Sequence, residues 1–428
     1  MISDENKAAG QDAWALRHGR SGEFPLRKTT TGIRLFILLL AWSLALTPAA
    51  LAAEAGGRTA HVTIGTGVKD HPAADIGLRW DDGWFAEDAA VYQQDLALAS
   101  MALSGAAYVG PDRDGGVRDG LKELGFGSVK TYNYQFSLEK SGGRTAYAFG
   151  VKKVKDRAGK SVKLVAVVIR GTGEYTEWSG NLNVGSGSDH EGFAAARDEL
   201  LDNLGSYLSK AGISGKNEKF LITGHSRGGA AANLTAAYLM DAGLAERENV
   251  YCYTFAAPAV STKAAEEGYE NIFNIVNGED LVTLVPLAQW GYRRYGVDRP
   301  LPAAGSDGYD LLFGEMDRQY AAMTGRHYAA YQTEAAAQEM AEAIFRLVPA
   351  VDGVNMEMVS ALLSGDFDGL SALINQNSRA ALLMGRTALE LSAELTPLLQ
   401  LEREALVSAH CMAGYYSWLA AVGKTAAQ

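Results

Sequence analysis

The sequence predicts an α/β protein with a mostly parallel central sheet flanked by helices, and three observations predict it. Strand and helix patterns alternate between residues 162 and 277, a nearly unbroken β-branched run occupies residues 162–169, and a Gly-x-Ser-x-Gly pentapeptide sits where a strand gives way to a helix. Such alternation suits a parallel sheet, because each new parallel strand is reached through a crossover that packs back onto the sheet.

Each element has its own signal. After a flexible start, residues 87–108 read as a helix, with Val91, Leu96, Ala99, Leu103 and Ala107 recurring at helical spacing. Residues 145–154 alternate in part, Asp156-Arg-Ala-Gly-Lys makes a turn, and residues 162–169 have the continuous apolar character of a strand covered on both faces. A helix then spans residues 193–211, a short strand 220–223, a helix 230–242, and two strands 250–255 and 271–277. From about 305 to 405 the chain turns rich in Ala, Leu, Glu and Met with no convincing strand, and reads as a helical insertion. Two apolar stripes inside it, at 380–384 and 389–395, fit helix packing, with contact to acyl chains or a lipid surface as the other reading. No internal repeat is apparent.

The N-terminal segment is read as an address rather than as fold. An apolar run at residues 35–46 follows Arg27, Lys28 and Arg34 and leads into Ala50-Leu51-Ala52-Ala53, the pattern of a secretory signal peptide preceded by a long polar leader. The run is shorter than the ~20 residues of a spanning helix. Residues 1–53 are therefore set aside and 54–428 are expected to form one domain, secreted, with membrane anchoring if the signal is not cleaved. The chain as a whole has a globular composition, 47% hydrophobic and 21% charged, and carries a net charge of −11. That acidity excludes nucleic acid as an electrostatic partner. The two cysteines, Cys252 and Cys411, are read as separate thiols, Cys252 buried in a strand, with pairing in an oxidising compartment as the alternative.

The candidate nucleophile is Ser226 in Gly224-His225-Ser226-Arg227-Gly228-Gly229. With 48 glycines in the chain the pattern alone carries little, so its setting decides. It follows the strand 220–223 and opens an Ala-rich helix, the strand-turn-helix context of a nucleophile elbow. A turn this tight leaves no room for Cβ atoms two residues either side of the serine, and the helix N-terminus favours developing negative charge. An idle serine in a glycine-rich turn is the bland alternative.

These residues resemble the class 3 lipase family, which has the α/β-hydrolase fold. The matching pieces are Arg170-Gly171-Thr172 after a hydrophobic strand, Trp178-Ser-Gly-Asn181, His190-Glu-Gly192-Phe193, the elbow, Thr254-Phe-Ala-Ala-Pro258, and Asn277-Gly-Glu-Asp280-Leu-Val-Thr-Leu-Val-Pro286. They agree in order and spacing across roughly residues 165–290, together with the stretch around His410. The resemblance implies a carboxylic ester hydrolase of the triacylglycerol-lipase kind, without metal or other cofactor, acting on a lipid or other ester at a lipid–water interface. A phospholipase or a short-chain esterase would share the motifs. A hydrolase-like surface binding protein without activity is the reading from a different class.

A serine nucleophile needs a general base held by a carboxylate, and in this fold the chain order is Ser, Asp or Glu, His. Of the histidines only His327 and His410 follow the acid candidates, and His410, just ahead of Tyr415-Tyr416, fits the family's final histidine. Asp280 lies beyond the end of strand 271–277, at the carboxyl edge where ligands collect, with Glu279 and Asp298 as substitutes. His190 precedes the serine and by resemblance packs structurally. For the oxyanion, the N–H of Arg227 follows the nucleophile directly, and by resemblance Thr172 is the second donor. Many family members have Leu at Arg227, and a charge there calls for a carboxylate or solvent, which argues against a strictly apolar acyl pocket. Residues 173–189, with Tyr175 and Trp178, occupy the position of the family's lid, a fixed loop being the alternative.

Overall fold

A computed structural model describes residues 57–109, 114–134, 145–171, 187–213, 217–286, 288–329, 338 and 403–426. The predicted signal segment, Thr172, nearly all of the expected lid and residues 330–402 of the expected insertion, apart from position 338, lie outside the described residues.

The central sheet has seven strands in the order of the chain: β3 (Gly127–Tyr132), β4 (Tyr147–Lys155), β5 (Ser161–Ile169), β6 (Lys219–His225), β7 (Val250–Phe255), β8 (Ile272–Val276) and β9 (Val297–Pro300). β3 to β5 are antiparallel, and β5 to β9 run parallel. The expected hairpin around residues 156–160 is the β4–β5 connection, where the Asp156 carboxylate accepts from the N–H groups of Ala158 and Lys160. β5 explains its own sequence. Val165, Val167 and Ile169 belong to one core cluster, while Leu164, Ala166 and Val168 belong to the other, so consecutive residues face opposite covered sides.

The helices are α1 (Gln94–Ala106), α2 (Gly115–Glu123), α3 (Glu191–Lys210), α4 (Arg227–Asp241), α5 (Tyr309–Thr324), α6 (Arg403–His410) and α7 (Met412–Ala426). α3 and α4 cover one face of the sheet through Phe193, Leu200, Leu204, Leu234 and Leu239, packed with Ile222 and Val167. α1 and α7 cover the other, with Leu96, Leu103, Tyr415 and Trp418 joining Leu221 and Tyr253. Burying a side chain of this size contributes about 1.5–3 kcal/mol. No helix among the described residues is long and apolar enough to cross a membrane.

Several expectations are corrected. The flexible start contains a regular antiparallel hairpin, β1 (Arg58–Val68) and β2 (His71–Trp80). Its inner residues Ala60, Val62, Ile64, Ile76, Leu78 and Trp80 are buried, against an outer row that includes Thr59, His61, Thr63, Gly77 and Arg79. The first helix begins at Gln94 rather than at residue 87, because the preceding stretch winds as a 3-10 turn, Asp82–Ala86, and a further turn closed by the Asp88 side chain on the Ala90 N–H. Helix α2 and strands β3 and β9 had no counterpart in the sequence reading. Both cysteines are buried free thiols.

Candidate active site

The serine stands at the β6–α4 junction. Ser226 adopts φ 59° and ψ −131°, a conformation that costs a non-glycine residue of order 1–3 kcal/mol. The strain is at the serine itself, and the glycines beside it supply space. A Cβ on Gly228 would run into the Ile169 carbonyl and the Arg170 backbone, and one on Gly224 would run into the Gly228 carbonyl. The turn is fixed on both sides, with the Ser226 N–H donating to the Phe255 carbonyl at 2.8 Å and the Ser226 carbonyl accepting from Ala230 at 3.1 Å. Arg227 then opens α4, so the hydroxyl stands at the helix's positive end.

Two remote segments meet this serine. His410, the last residue of α6, brings Nε2 to 3.0 Å from Ser226 Oγ. Its Nδ1 lies 3.0 and 2.9 Å from the Asp280 oxygens Oδ1 and Oδ2. Asp280 follows β8 at the carboxyl edge of the sheet, is 1% exposed, and also accepts the Val282 N–H at 3.0 Å. The imidazole thus points one nitrogen at a carboxylate and the other at a hydroxyl, the arrangement a general base requires.

The alternatives fall elsewhere. His327 is exposed beyond the end of α5 and pairs with Asp317 at 2.8 Å. Asp298 lies on β9 and pairs with Arg294 at 2.6 Å. Glu279 is buried beside Asp280, but Asp280 is the residue that holds His410. His190 is buried ahead of α3 with its ring stacked on Phe193 at 3.9 Å, a packing position.

The expectation about Arg227 needs correction. Its side chain is 1% exposed and turns into the protein, where Nε donates to Thr145 Oγ1 at 3.0 Å and Nη2 to the Gly192 carbonyl at 3.5 Å. The charge is therefore withdrawn from solvent rather than exposed at the surface.

Three residues that carry no assigned role in the sequence reading, His225, Asn277 and Tyr415, hold the site in register. His225 Nε2 is 2.8 Å from the carbonyl of His410, and since a carbonyl only accepts, Nε2 carries the proton and Nδ1 is free to accept from the Tyr108 hydroxyl at 3.2 Å. Burial, reinforced by the nearby His410, pushes His225 well below the usual 6.5, so it stays neutral. Asn277 donates through Nδ2 to the Ala409 carbonyl at 3.1 Å and to the Tyr328 hydroxyl at 3.0 Å. Tyr415 donates to Asp280 Oδ2 at 2.9 Å.

A mostly parallel sheet with helices on both faces and a strained serine on the strand-to-helix elbow define an α/β-hydrolase fold. Within it, residues 166–290 match the model of the family described as Lipase (class 3). The chain is similar to the secreted mono- and diacylglycerol lipase 1 of Fusarium solani, 29% identical over 172 residues. That match covers 37% of this chain and 47% of the relative, so the chain spans about half the length of the curated relative it matches. Among solved structures it is similar to the Rhizomucor miehei triacylglyceride lipase, with 20% identity and a TM-score of 0.35 over 49% of this chain and 79% of that one. It is also similar to the lipase of Rhizopus microsporus var. chinensis, with 22% identity and a TM-score of 0.35 over 48% and 73% of the two chains.

Proposed function

We propose that the protein is a serine hydrolase that cleaves carboxylic esters of lipids, acylglycerols in particular, with Ser226 as nucleophile, His410 as base and Asp280 as the group that orients it. The observation that carries this reading is the imidazole of His410 standing 3.0 Å from Ser226 Oγ and 2.9 Å from Asp280 Oδ2.

The chemistry follows from those contacts. Oγ attacks the ester carbonyl carbon while His410 Nε2 takes its proton, and Asp280 holds the resulting imidazolium. The carbonyl oxygen becomes an oxyanion beside the N-terminus of α4, where the Arg227 N–H and Thr172 are the donors; losing one such donor typically costs about 3–4 kcal/mol of transition-state stabilisation. As the tetrahedral adduct collapses, the C–O bond to the alcohol breaks and His410 returns its proton to the leaving oxygen. Water, deprotonated by the same imidazole, then cleaves the acyl-enzyme and frees Ser226 and the carboxylic acid. Acylglycerol as substrate and release from the cell are supported by the named activity of the Fusarium solani relative, and release also by the leader segment of the sequence.

Turnover of p-nitrophenyl esters of increasing chain length, and of a diacylglycerol emulsion, tests the proposal and ranks it against phospholipid vesicles. Wild type should hydrolyse the esters, favour the acylglycerol, and lose about 10⁴–10⁶-fold in kcat in the folded Ser226→Ala variant. Equal turnover by the two proteins, or no turnover by folded wild type on any ester, overturns it.

A further inference from the structure

One observation remains outside that mechanism. The Asp280 carboxylate, buried beneath the site, receives a third donor besides His410 and the Val282 N–H, the hydroxyl of Tyr415 at 2.9 Å on Oδ2. The hydroxyl is itself oriented. The backbone N–H of Asn277 donates to it at 3.0 Å, which occupies a lone pair and leaves the O–H free to aim at the carboxylate. Tyr415 is fully buried and sits on α7, directly after the residues that carry His410. One short stretch of chain thus delivers both the base and a donor to the base's carboxylate.

We propose that Tyr415 is a positioning residue for the Ser226–His410–Asp280 site: its hydroxyl fixes the rotation of the Asp280 carboxylate and draws off part of its charge, which sets how strongly Asp280 holds the His410 imidazolium. This rests on the ester-hydrolase reading above. The physical argument is a competition for one carboxylate. Every hydrogen bond that stabilises the negative charge weakens its hold on a neighbouring cation, and a hydrogen bond to a charged group in a dry site is among the strong ones.

The titratable groups around the pair are His225 from β6, Glu279 from the loop after β8, Tyr328 beyond α5, Cys411 between α6 and α7, and Tyr415 on α7. Burial pushes the Cys411 thiol up to about 11 and holds Tyr328 and Tyr415 well above 10, while His225 is pushed well below 6.5. Tyr415 is therefore a permanent O–H donor at any working pH, and the thiol, the phenols and His225 stay in one protonation state near neutrality. A change in the acid limb of the activity profile then reports the His410–Asp280 pair, with Glu279 as the remaining neighbour.

The test compares Tyr415→Phe, Tyr416→Phe and a protein carrying 3,5-difluorotyrosine at position 415, each with melting temperature, kcat and KM on a soluble ester, and the pKa of the His410 imidazole by NMR. Tyr416 is the control, a buried tyrosine on the same helix. Removing the Tyr415 hydroxyl should move the acid limb and the imidazole pKa up by about half to one pH unit, and lower kcat by about ten- to a hundredfold with little change in KM. The fluorinated hydroxyl, a stronger donor of nearly the same shape, should move both down, and it keeps the test open if Tyr415→Phe folds poorly. Tyr416→Phe should leave both in place. An acid limb and an imidazole pKa that stay fixed in both position-415 variants overturn the proposal, as does a shift equal to that of the control. Because the NMR titration needs no turnover, an inactive wild type with a Tyr415-sensitive imidazole would sink the ester-hydrolase reading alone.

Discussion

The proposed nucleophile and its proposed base are positioned by different means. Ser226 is placed by its immediate neighbours along the chain: β6 leads into it, α4 leads out of it, and Gly224 and Gly228 provide room for a φ of 59°. His410 is placed by side chains remote in sequence, with His225 gripping its carbonyl, Asn277 gripping the carbonyl of Ala409, and Asp280 gripping its ring. One half of the site is thus encoded in six consecutive residues, and the other half exists only when segments some 130 or more residues apart come together.

Substitutions that act on one half and spare the other sharpen the contrast. The largest effect is expected at the clamp's carboxylate. Asp280→Asn keeps the shape and an acceptor for Val282, but removes the charge and leaves His410 in the wrong tautomer; kcat should fall about 10⁴-fold in a protein that still melts cooperatively. Less than tenfold would mean that another carboxylate serves His410. On the elbow side, Gly228→Ala forces a methyl against the Ile169 carbonyl; stability should drop by about 1–3 kcal/mol in a denaturant titration, with turnover falling at the same time. An alanine tolerated there with full activity would show that the turn has slack the geometry denies.

A pH series separates the halves next. His225 is neutral in the fold because burial depresses its pKa, so the unfolded chain takes up a proton first as pH falls. The native state should therefore lose stability below about pH 6.5, at up to about 1.4 kcal/mol per pH unit, until the folded-state pKa is reached. Unfolding measured from pH 7 downward should be less pH-dependent in His225→Gln, which keeps an N–H for the His410 carbonyl. Identical slopes in the two proteins would place the acid sensitivity elsewhere. The smallest effect is expected from His327→Ala. This exposed residue pairs only with Asp317 among the described residues, and its removal should change stability by less than about 0.5 kcal/mol and leave kcat/KM unchanged.

The same contrast governs what the sequence made legible. β5 to β8, α3 and α4 announce themselves because each is continuous in period or in apolar character, and Ser226 is legible because its turn chemistry is contiguous. Hairpin β1–β2 is diluted by Gly65, Gly77, Ala60, Ala73 and Ala74, small residues that carry no strand preference although the alternation is present. Strand β9, Val297-Asp-Arg-Pro300, is a polar edge whose only apolar start is Val297. Asp280 could be read from its place beyond a strand end, and His410 from chain order. Tyr415 and Asn277 could not, since nothing local to a tyrosine on an apolar helix says that its hydroxyl faces a carboxylate 135 positions earlier. The buried course of Arg227 was missed for the same reason, because its partners at Thr145 and Gly192 come from other elements.

The measurement closest to the central claim is the site of covalent capture by a fluorophosphonate. Digestion and mass mapping of the treated wild-type protein should find a single adduct on Ser226, slow to form in His410→Ala and absent from Ser226→Ala. An adduct on a different serine, or none on folded wild-type protein, would contradict the account.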